Sequence, residues 1–263
     1  MRGLRRNFHR CPKIAVDCLV LEYLQQLSKR RRHKTMRKLV MTIFGLSLIA
    51  GANAFVWVEQ GDAPEFVGGN TAQLVIGSGG LTEIQGMFHS GAPDADSYVI
   101  QITEPLRFEA TTVGGSTADT QLFLFRLDGM GVIHDDDGAM SGDGLRSRIG
   151  LNGGPVMPAN MSWQDWVNNG NLPAGLYVIS VSEYNRDPQA AGDLIWNNGP
   201  FNQQRTPDGP NAGSPVDAWG GGPNGTDITY SIFFQGADGV PEPATMLAIG
   251  AGLAALAARR RRK

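Results

Sequence analysis

The stretch "TQLFLFRLDGMGVIHD" (residues 120–135) decides the fold class, because it places two short strand-like runs around a tight-turn signal. The first run is rich in Leu and Phe and the second contains Val and Ile, residue types that favour buried strands. Asp128-Gly129 between the runs is a dipeptide that favours the two-residue turn of a β-hairpin. The stretch therefore predicts a pair of antiparallel strands.

Strand signals on both sides of this hairpin extend the prediction over residues 55–239. "GLYVISVSEY" (residues 175–184) alternates, so that Tyr177, Ile179 and Val181 lie on one face and Leu176 and Val178 on the other. Further strand-like runs are "AQLVIG", "LTEIQGMF", "SYVIQIT", "LRFEATTV" and "DITYSIFFQG". No segment sustains a helical period. We therefore expect an all-β fold, an antiparallel β-sandwich or jelly roll.

The order of these pieces resembles a known family. "DADSYVIQIT", "ADTQLFLFRLDGMGVIHDDDG", "LRSRIGL" and "LPAGLYVISVSEY" follow one another in a pattern that is similar to the bacterial pre-peptidase C-terminal (PPC) domain. The resemblance implies a β-sandwich of the kind that accompanies secreted proteins, often proteases. Two inserts, at 152–171 and 185–226, depart from the family pattern. The second insert is much longer than an ordinary loop, which predicts either a mobile segment or the place of the function.

The N-terminal region has the three parts of a secretory signal peptide at residues 36–54. Arg37 and Lys38 give a positive start, residues 39–50 form an apolar core, and Ala52 and Ala54 form a small-x-small cleavage site. Because such a leader normally begins at its own methionine, we expect residues 1–35 to be a wrongly assigned extension. The alternative is a signal anchor with a long basic cytoplasmic tail.

The C-terminal region combines an apolar run with a cationic end. Residues 244–258 are an uncharged run of 15 residues, about 22 Å long as a helix, against roughly 30 Å of bilayer hydrocarbon. The run is therefore a marginal transmembrane helix. The positive-inside rule places the cationic end in the cytoplasm and everything upstream outside, in agreement with the signal peptide. That end consists of Arg259, Arg260, Arg261, Arg262 and Lys263.

The ending "VPEPATMLAIGAGLAALAARRRRK" (residues 240–263) resembles the PEP-CTERM sorting signal of exported bacterial proteins. The resemblance implies recognition by an exosortase and cleavage near Pro241, Glu242 and Pro243. It also implies a membrane-tethered precursor in a Gram-negative bacterium that makes exopolysaccharide, followed by release to the cell surface or extracellular matrix. The expected partners are the Sec translocon, signal peptidase, exosortase, the inner membrane for a short time, and exopolysaccharide. The alternative is a plain C-terminal anchor.

The charge of the region between the two ends excludes some classes of partner. Residues 55–240 contain 6 arginines, no lysine and 22 acidic residues, a formal charge of −16. A region this acidic repels phosphate groups, so nucleic acid is not an expected partner. It has no cysteine either, and no disulfide can form there.

A cluster of acidic residues around the hairpin is the candidate metal site. Carboxylates this close repel one another, and Ca²⁺ would relieve the repulsion by accepting several oxygens. Their spacing does not match an EF-hand loop. The competing interpretation is a solvated turn, since charge runs are usually hydrated. The candidate ligands are Asp128, Asp135, Asp136, Asp137 and Asp143.

Four tryptophans in the two inserts are the candidate carbohydrate-binding residues, because exposed aromatic rings can stack on sugars. The competing interpretation is that they pin the inserts onto the sandwich, as large apolar side chains usually do. They are Trp163, Trp166, Trp196 and Trp219.

Sequence motifs for catalysis are missing from residues 55–240. His89 and His134 do not form a zinc motif, and there is no Gly-x-Ser-x-Gly nucleophile. A catalytic pair of carboxylates of the glycosidase type remains an alternative, because the two residues need not be close in sequence. The sequence therefore predicts a non-enzymatic structural or adhesive protein with no cofactor. A calcium- or carbohydrate-binding module is the first alternative, and a secreted hydrolase is a weaker one.

Overall fold

The computed structural model describes residues 54–67, 72–90, 94–222 and 226–242. These residues form strands β1 to β14, one short helix and a 3-10 turn at Pro105–Arg107. The strands are Phe55–Val58 (β1), Gln73–Leu74 (β2), Leu81–Phe88 (β3), Ala95–Ile102 (β4), Glu109–Thr111 (β5), Thr120–Arg126 (β6), Gly131–Asp135 (β7), Arg148–Gly150 (β8), Gly175–Glu183 (β9), Pro188–Ala190 (β10), Asp193–Leu194 (β11), Ala218–Trp219 (β12), Ile228–Gln235 (β13) and Ala237–Asp238 (β14). The predicted signal peptide, apart from Ala54, and the C-terminal apolar run lie outside the described residues.

The strands form two large sheets and one small one, which confirms the all-β prediction. The first sheet has five strands in the order β1-β3-β13-β5-β8. The second has six, in the order β14-β4-β9-β6-β7 with β2 paired to β4. The small sheet, β11-β10-β12, lies within the second insert.

The two large sheets pack face to face as a sandwich. Ile84 and Ile232 of the first sheet belong to the same buried cluster as Ile100 of the second. The hydroxyls of Tyr98 on β4 and Tyr230 on β13 lie 2.6 Å apart, so the two sheets also share a hydrogen bond. Alternate residues of β9, namely Tyr177, Ile179 and Val181, fill the space between the sheets, as strand geometry predicts.

The predicted hairpin is present. β6 and β7 are antiparallel, with Leu122 opposite Asp135 and Leu124 opposite Ile133. Gly129 in the turn has φ of 88°, a conformation that glycine adopts without steric cost and other residues rarely adopt. The Asp-Gly dipeptide therefore predicted the turn correctly, because glycine can adopt the backbone conformation that position 129 requires.

The prediction of an antiparallel sandwich was wrong for two strand pairs, because β1 runs parallel to β3 and β2 runs parallel to β4. Parallel neighbours need a connection of about a dozen residues or more. Both connections in this chain are long enough, since β1 ends at Val58 and β3 begins at Leu81, while β2 ends at Leu74 and β4 begins at Ala95. The alternation of apolar and polar residues does not indicate whether a strand runs parallel or antiparallel to its neighbour. The jelly-roll connectivity stays a prediction.

The second insert covers the outer face of the second sheet. Phe123 and Phe125 point away from the sandwich core and pack against Trp196 and Trp219 of the insert in a second buried cluster. Because both faces of β6 are covered, its sequence is continuously apolar rather than alternating. The parts of this insert that carry Trp196 and Trp219 are therefore packed structure.

The first insert contains the helix α1, Trp163–Asn168, which the periodicity did not predict. Ser162 caps it by accepting a hydrogen bond from the Asp165 N–H at 3.1 Å. The Ser-x-x-Asp spacing resembles a capping box and is the signal that could have revealed the helix. Within the described ranges, no helix has the length and apolarity to cross a membrane.

Candidate functional site

The structure separates the five predicted calcium ligands into four environments. Asp128 lies exposed in the hairpin turn, where its Oδ1 accepts the Met130 N–H at 3.1 Å. Asp143 pairs with Arg148, whose Nη2 lies 3.0 Å from the Asp143 Oδ1. Asp135 is buried and its Oδ2 accepts the Arg148 N–H at 2.8 Å. These three aspartates do not share a site with Asp136 and Asp137.

Asp136 and Asp137 instead meet Asp119, which the sequence did not single out. Each of the three carboxylates offers an oxygen within 4.8 Å of the other two. The hairpin register explains the meeting, because Asp119 precedes β6 and the other two residues follow its partner strand β7. We call these three residues the Asp119 cluster.

Burial and mutual repulsion dominate the electrostatics of the Asp119 cluster. The pKa of Asp136 is raised to about 8, mainly by burial and then by the charges of Asp137, Asp119 and Asp187, while Arg205 opposes the shift. Burial also raises the pKa of Asp119, with a contribution from Asp137 and opposition from Arg146. Carboxyls that are this reluctant to ionise would gain from a bound cation.

A second acidic group surrounds an open cavity of about 590 Å³ between β1, β3 and β13. Glu59, Asp62, His89 and Tyr230 are among its lining residues. Asp62 is exposed, whereas the two oxygens of Glu59 accept the N–H groups of Ala63 at 2.6 Å and Met87 at 2.9 Å. Burial raises the pKa of Glu59 even though these N–H donors act against it. We call this feature the acidic cavity.

Behind the acidic cavity lies Asp96, a fully buried carboxyl of β4. Its Oδ2 accepts the Tyr230 hydroxyl at 2.6 Å, and that hydroxyl lies 2.6 Å from the Tyr98 hydroxyl. Burial raises the pKa of Asp96 to about 9, and the negative charges of Asp94, Glu59 and Asp62 add to the shift. Asp96 is therefore protonated at neutral pH.

The acidic cavity also brings ligand-type atoms together. Glu59, Asp62 and Asp96 have oxygens within 4.8 Å of one another, and so do the donor atoms of Asp62, His89 and Asp94. The carboxylates of Glu59, Asp94 and Asp96 already accept hydrogen bonds from N–H or O–H groups. Because accepted hydrogen bonds already occupy both Glu59 oxygens and the Asp96 Oδ2, we interpret this group as a hydrogen-bonded proton network.

The four candidate tryptophans are all buried. Trp163 and Trp166 on α1 join the sandwich core, while Trp196 and Trp219 cover the second sheet. Three indole N–H groups donate to backbone carbonyls: Trp163 to Pro105 at 3.0 Å, Trp196 to Arg205 at 3.1 Å and Trp219 to Phe66 at 2.8 Å. These four rings pack inside the protein, so none of them is exposed for the predicted stacking on a sugar.

The predicted sorting signal begins at a residue that is hydrogen-bonded to the sandwich. The Val240 N–H donates to the Val75 carbonyl at 2.7 Å, and the Gly77 N–H donates to the Val240 carbonyl at 3.1 Å. Pro241 is half-buried and Glu242 is exposed. Pro243 and Arg259 to Arg262 lie outside the described residues. Glu242 is therefore accessible to solvent without the opening of a sheet.

A comparison with protein families matches residues 239–262 to the PEP-CTERM protein-sorting motif. The chain carries this sorting motif. The motif indicates an exported surface protein of the Gram-negative type that is sorted through an exosortase. Neither the curated proteins nor the solved structures give a match to the chain. The PPC resemblance of residues 55–239 therefore stays a prediction.

Proposed function

We propose that the protein is a non-enzymatic structural or adhesive component of the cell surface or extracellular matrix. Its body would be a PPC-like sandwich that is tethered to the inner membrane by the tail and then released by an exosortase. The observation that carries the proposal is the sorting motif at 239–262, whose first two residues hydrogen-bond to the sandwich and whose Glu242 is exposed. The lysine-free body, with its charge of −16 over residues 55–240, is consistent with a role outside the cell.

Mass spectrometry of the protein taken from its native cells tests the export route. We expect a mature chain that starts at Phe55 and ends near Pro241 to Pro243, recovered from the matrix fraction. Replacing Pro241 and Pro243 by alanine should retain the tail and the membrane association. Pro215→Ala, at an exposed proline elsewhere, is the matched control and should mature normally. Untrimmed protein in the cytosol would overturn the proposal.

A secreted hydrolase is the second candidate, because the acidic cavity presents two carboxylates, Glu59 and Asp62, at its wall. Paired carboxylates in a cavity are the arrangement that general acid–base hydrolysis needs. The test is incubation of the exported protein with polysaccharide and peptide mixtures. We expect no release of reducing ends or amines.

Variants of the cavity make that test decisive. Product release that disappears in a Glu59→Gln, Asp62→Asn double variant, and persists in Asp193→Asn at an exposed site on β11, would replace the proposal with a hydrolase. Because Asp62 carries no hydrogen bond that holds the fold together in the described residues, Asp62→Asn alone gives a folded comparison.

A further inference from the structure

The Asp119 cluster contains buried carboxylate oxygens that no donor reaches. Asp136 is only 2% exposed, and its Oδ1 has no hydrogen-bond partner in the part of the chain that the structure describes. The Oδ1 of Asp119 is buried and unpartnered in the same way. An unpaired buried polar group is costly, and it is a direct indication that something else supplies the missing contact.

The arginines nearest to the Asp119 cluster do not supply this contact. Arg146 donates to the backbone carbonyls of Ser116 and Thr117. Arg205 donates to the carbonyls of Gly199 and Asn197 and to Asp208. Neither of these two arginines therefore neutralises the cluster through a hydrogen bond in the described part of the chain.

The three carboxylates can share one calcium ion. Ca²⁺ binds oxygens at about 2.3–2.6 Å, so two of its ligands lie up to about 5 Å apart. One oxygen from each carboxylate lies within that distance of the other two. Since Ca²⁺ takes about 6–8 ligands, three carboxylates leave positions for the hydroxyls of a ligand.

Two exposed aromatic residues are connected to the Asp119 cluster by backbone hydrogen bonds. Tyr184 is 45% exposed and Phe201 is 38% exposed, and their ring centres lie 5.9 Å apart at an interplanar angle of 83°. Both residues are tied to the cluster through the backbone: the Tyr184 N–H donates to the Asp119 carbonyl at 2.9 Å, and the Asp137 N–H donates to the Phe201 carbonyl at 3.1 Å. Rings that remain in water next to an ion site can pack against the apolar face of a sugar.

We propose that the Asp119 cluster, with Tyr184 and Phe201 at its rim, is a calcium-dependent carbohydrate-binding site. Asp119, Asp136 and Asp137 hold the ion, hydroxyls of the sugar complete its coordination, and the two rings contact the sugar ring. The inference rests on the proposed adhesive function and names its ligand class as a polysaccharide. The chemistry is the one that the tryptophans were expected to provide, but it lies on other residues.

Calcium binding is tested first, by titrating the exported protein with CaCl₂ in a calorimeter. We expect a dissociation constant of about 10⁻⁴–10⁻³ M, the range of extracellular modules. Calcium at 10 mM should then raise the Tm by about 3–10 °C. Asp137→Asn should abolish both effects. Asp128→Asn, in the turn of the same hairpin, should leave them intact. Equal calcium binding by the wild type and Asp137→Asn would overturn the proposal.

Carbohydrate binding is tested by retention on immobilised mannan, which is neutral, and alginate, which is acidic. We expect retention on at least one of them in Ca²⁺ and release by EGTA. Tyr184→Ala and Phe201→Ala should lose retention while their calcium binding persists. Leu127→Ala, which removes an exposed apolar side chain next to the hairpin turn, is the matched control. Retention that persists in EGTA, or in both aromatic variants, would overturn the proposal. The absence of retention of the wild type on both polymers would overturn it as well. None of these outcomes bears on tail processing, so the two proposals fail separately.

Discussion

Replacing Asp96 by asparagine should make the protein less sensitive to alkaline pH. Asp96 is fully buried, and its pKa in the folded protein is about 9, against about 3.9 in an unfolded chain. The amide oxygen of asparagine can still accept the Tyr230 hydroxyl, so the link between the two sheets survives. The change removes the titration and keeps the shape.

The expected magnitude follows from proton linkage. Between pH 4 and pH 9 the folded protein holds a proton on Asp96 that the unfolded chain has released, so raising the pH favours unfolding. The slope is about 1.4 kcal/mol per pH unit for one such group. From pH 5 to pH 7 the wild type should therefore lose about 2.7 kcal/mol of unfolding free energy relative to Asp96→Asn.

The difference between the two proteins isolates Asp96 from its neighbours. Glu59 and Asp94 also have raised pKa values, mainly through burial, and they too make the wild type less stable as pH rises. Because protonated aspartic acid and asparagine are both neutral, these neighbours experience the same charge in both proteins and cancel in the difference.

Urea unfolding at pH 5, 6 and 7, followed by tryptophan fluorescence in EGTA, measures this difference. Asp193→Asn on the exposed strand β11 is the control and should track the wild type at every pH. If the gap between Asp96→Asn and the wild type changes by less than about 0.5 kcal/mol over this range, within the usual error of such comparisons, Asp96 is ionised in the folded protein. The proton-network interpretation would then be wrong.

Three further predictions address the two cores and the tail. Phe123→Ala should lower the unfolding free energy by about 3–5 kcal/mol in urea, because it leaves a cavity under the second insert. Arg148→Met should lower the unfolding free energy by about 3–5 kcal/mol at pH 7, because it leaves the buried carboxylates of Glu109 and Asp143 without their ion-pair partner. Arg107→Met, at an exposed ion pair, should change the unfolding free energy little. A chain that ends after Glu242 should melt at the Tm of the chain that keeps its tail, because the backbone hydrogen bonds of the described residues to the sandwich end at Val240; a large drop would place the tail within the fold.

Strand positions could be predicted from the sequence because they depend on local pattern. The alternation of residues 175–184 placed Tyr177, Ile179 and Val181 in the sandwich core and Val178 on the other face, where the structure has them. The Asp128-Gly129 turn fixed the hairpin. Strand direction could not be predicted for β1 and β2, because it depends on which distant strand they meet.

The second insert escaped prediction for a different physical reason. Its strands are two or three residues long, too short to show a period. What holds it in place is the burial of Trp196 and Trp219 against phenylalanines more than 70 residues earlier. The unbroken apolar run of β6 was the available signal, since a strand with one solvated face would alternate.

The Asp119 cluster was half predictable, and the missing half lies in the hairpin register. Asp136 and Asp137 stood out as a run of like charges, but a run alone does not distinguish a solvated turn from an ion site. When Leu122 pairs with Asp135, Asp119, which precedes β6, lies opposite the residues that follow β7. The predicted hairpin therefore already implied Asp119 as the third carboxylate. Burial then separates the two interpretations: a solvated turn would leave Asp136 in water, whereas its Oδ1 is buried without a partner. For that reason calcium binding by this cluster, and not by the exposed Asp128, is the measurement that decides what the hairpin does.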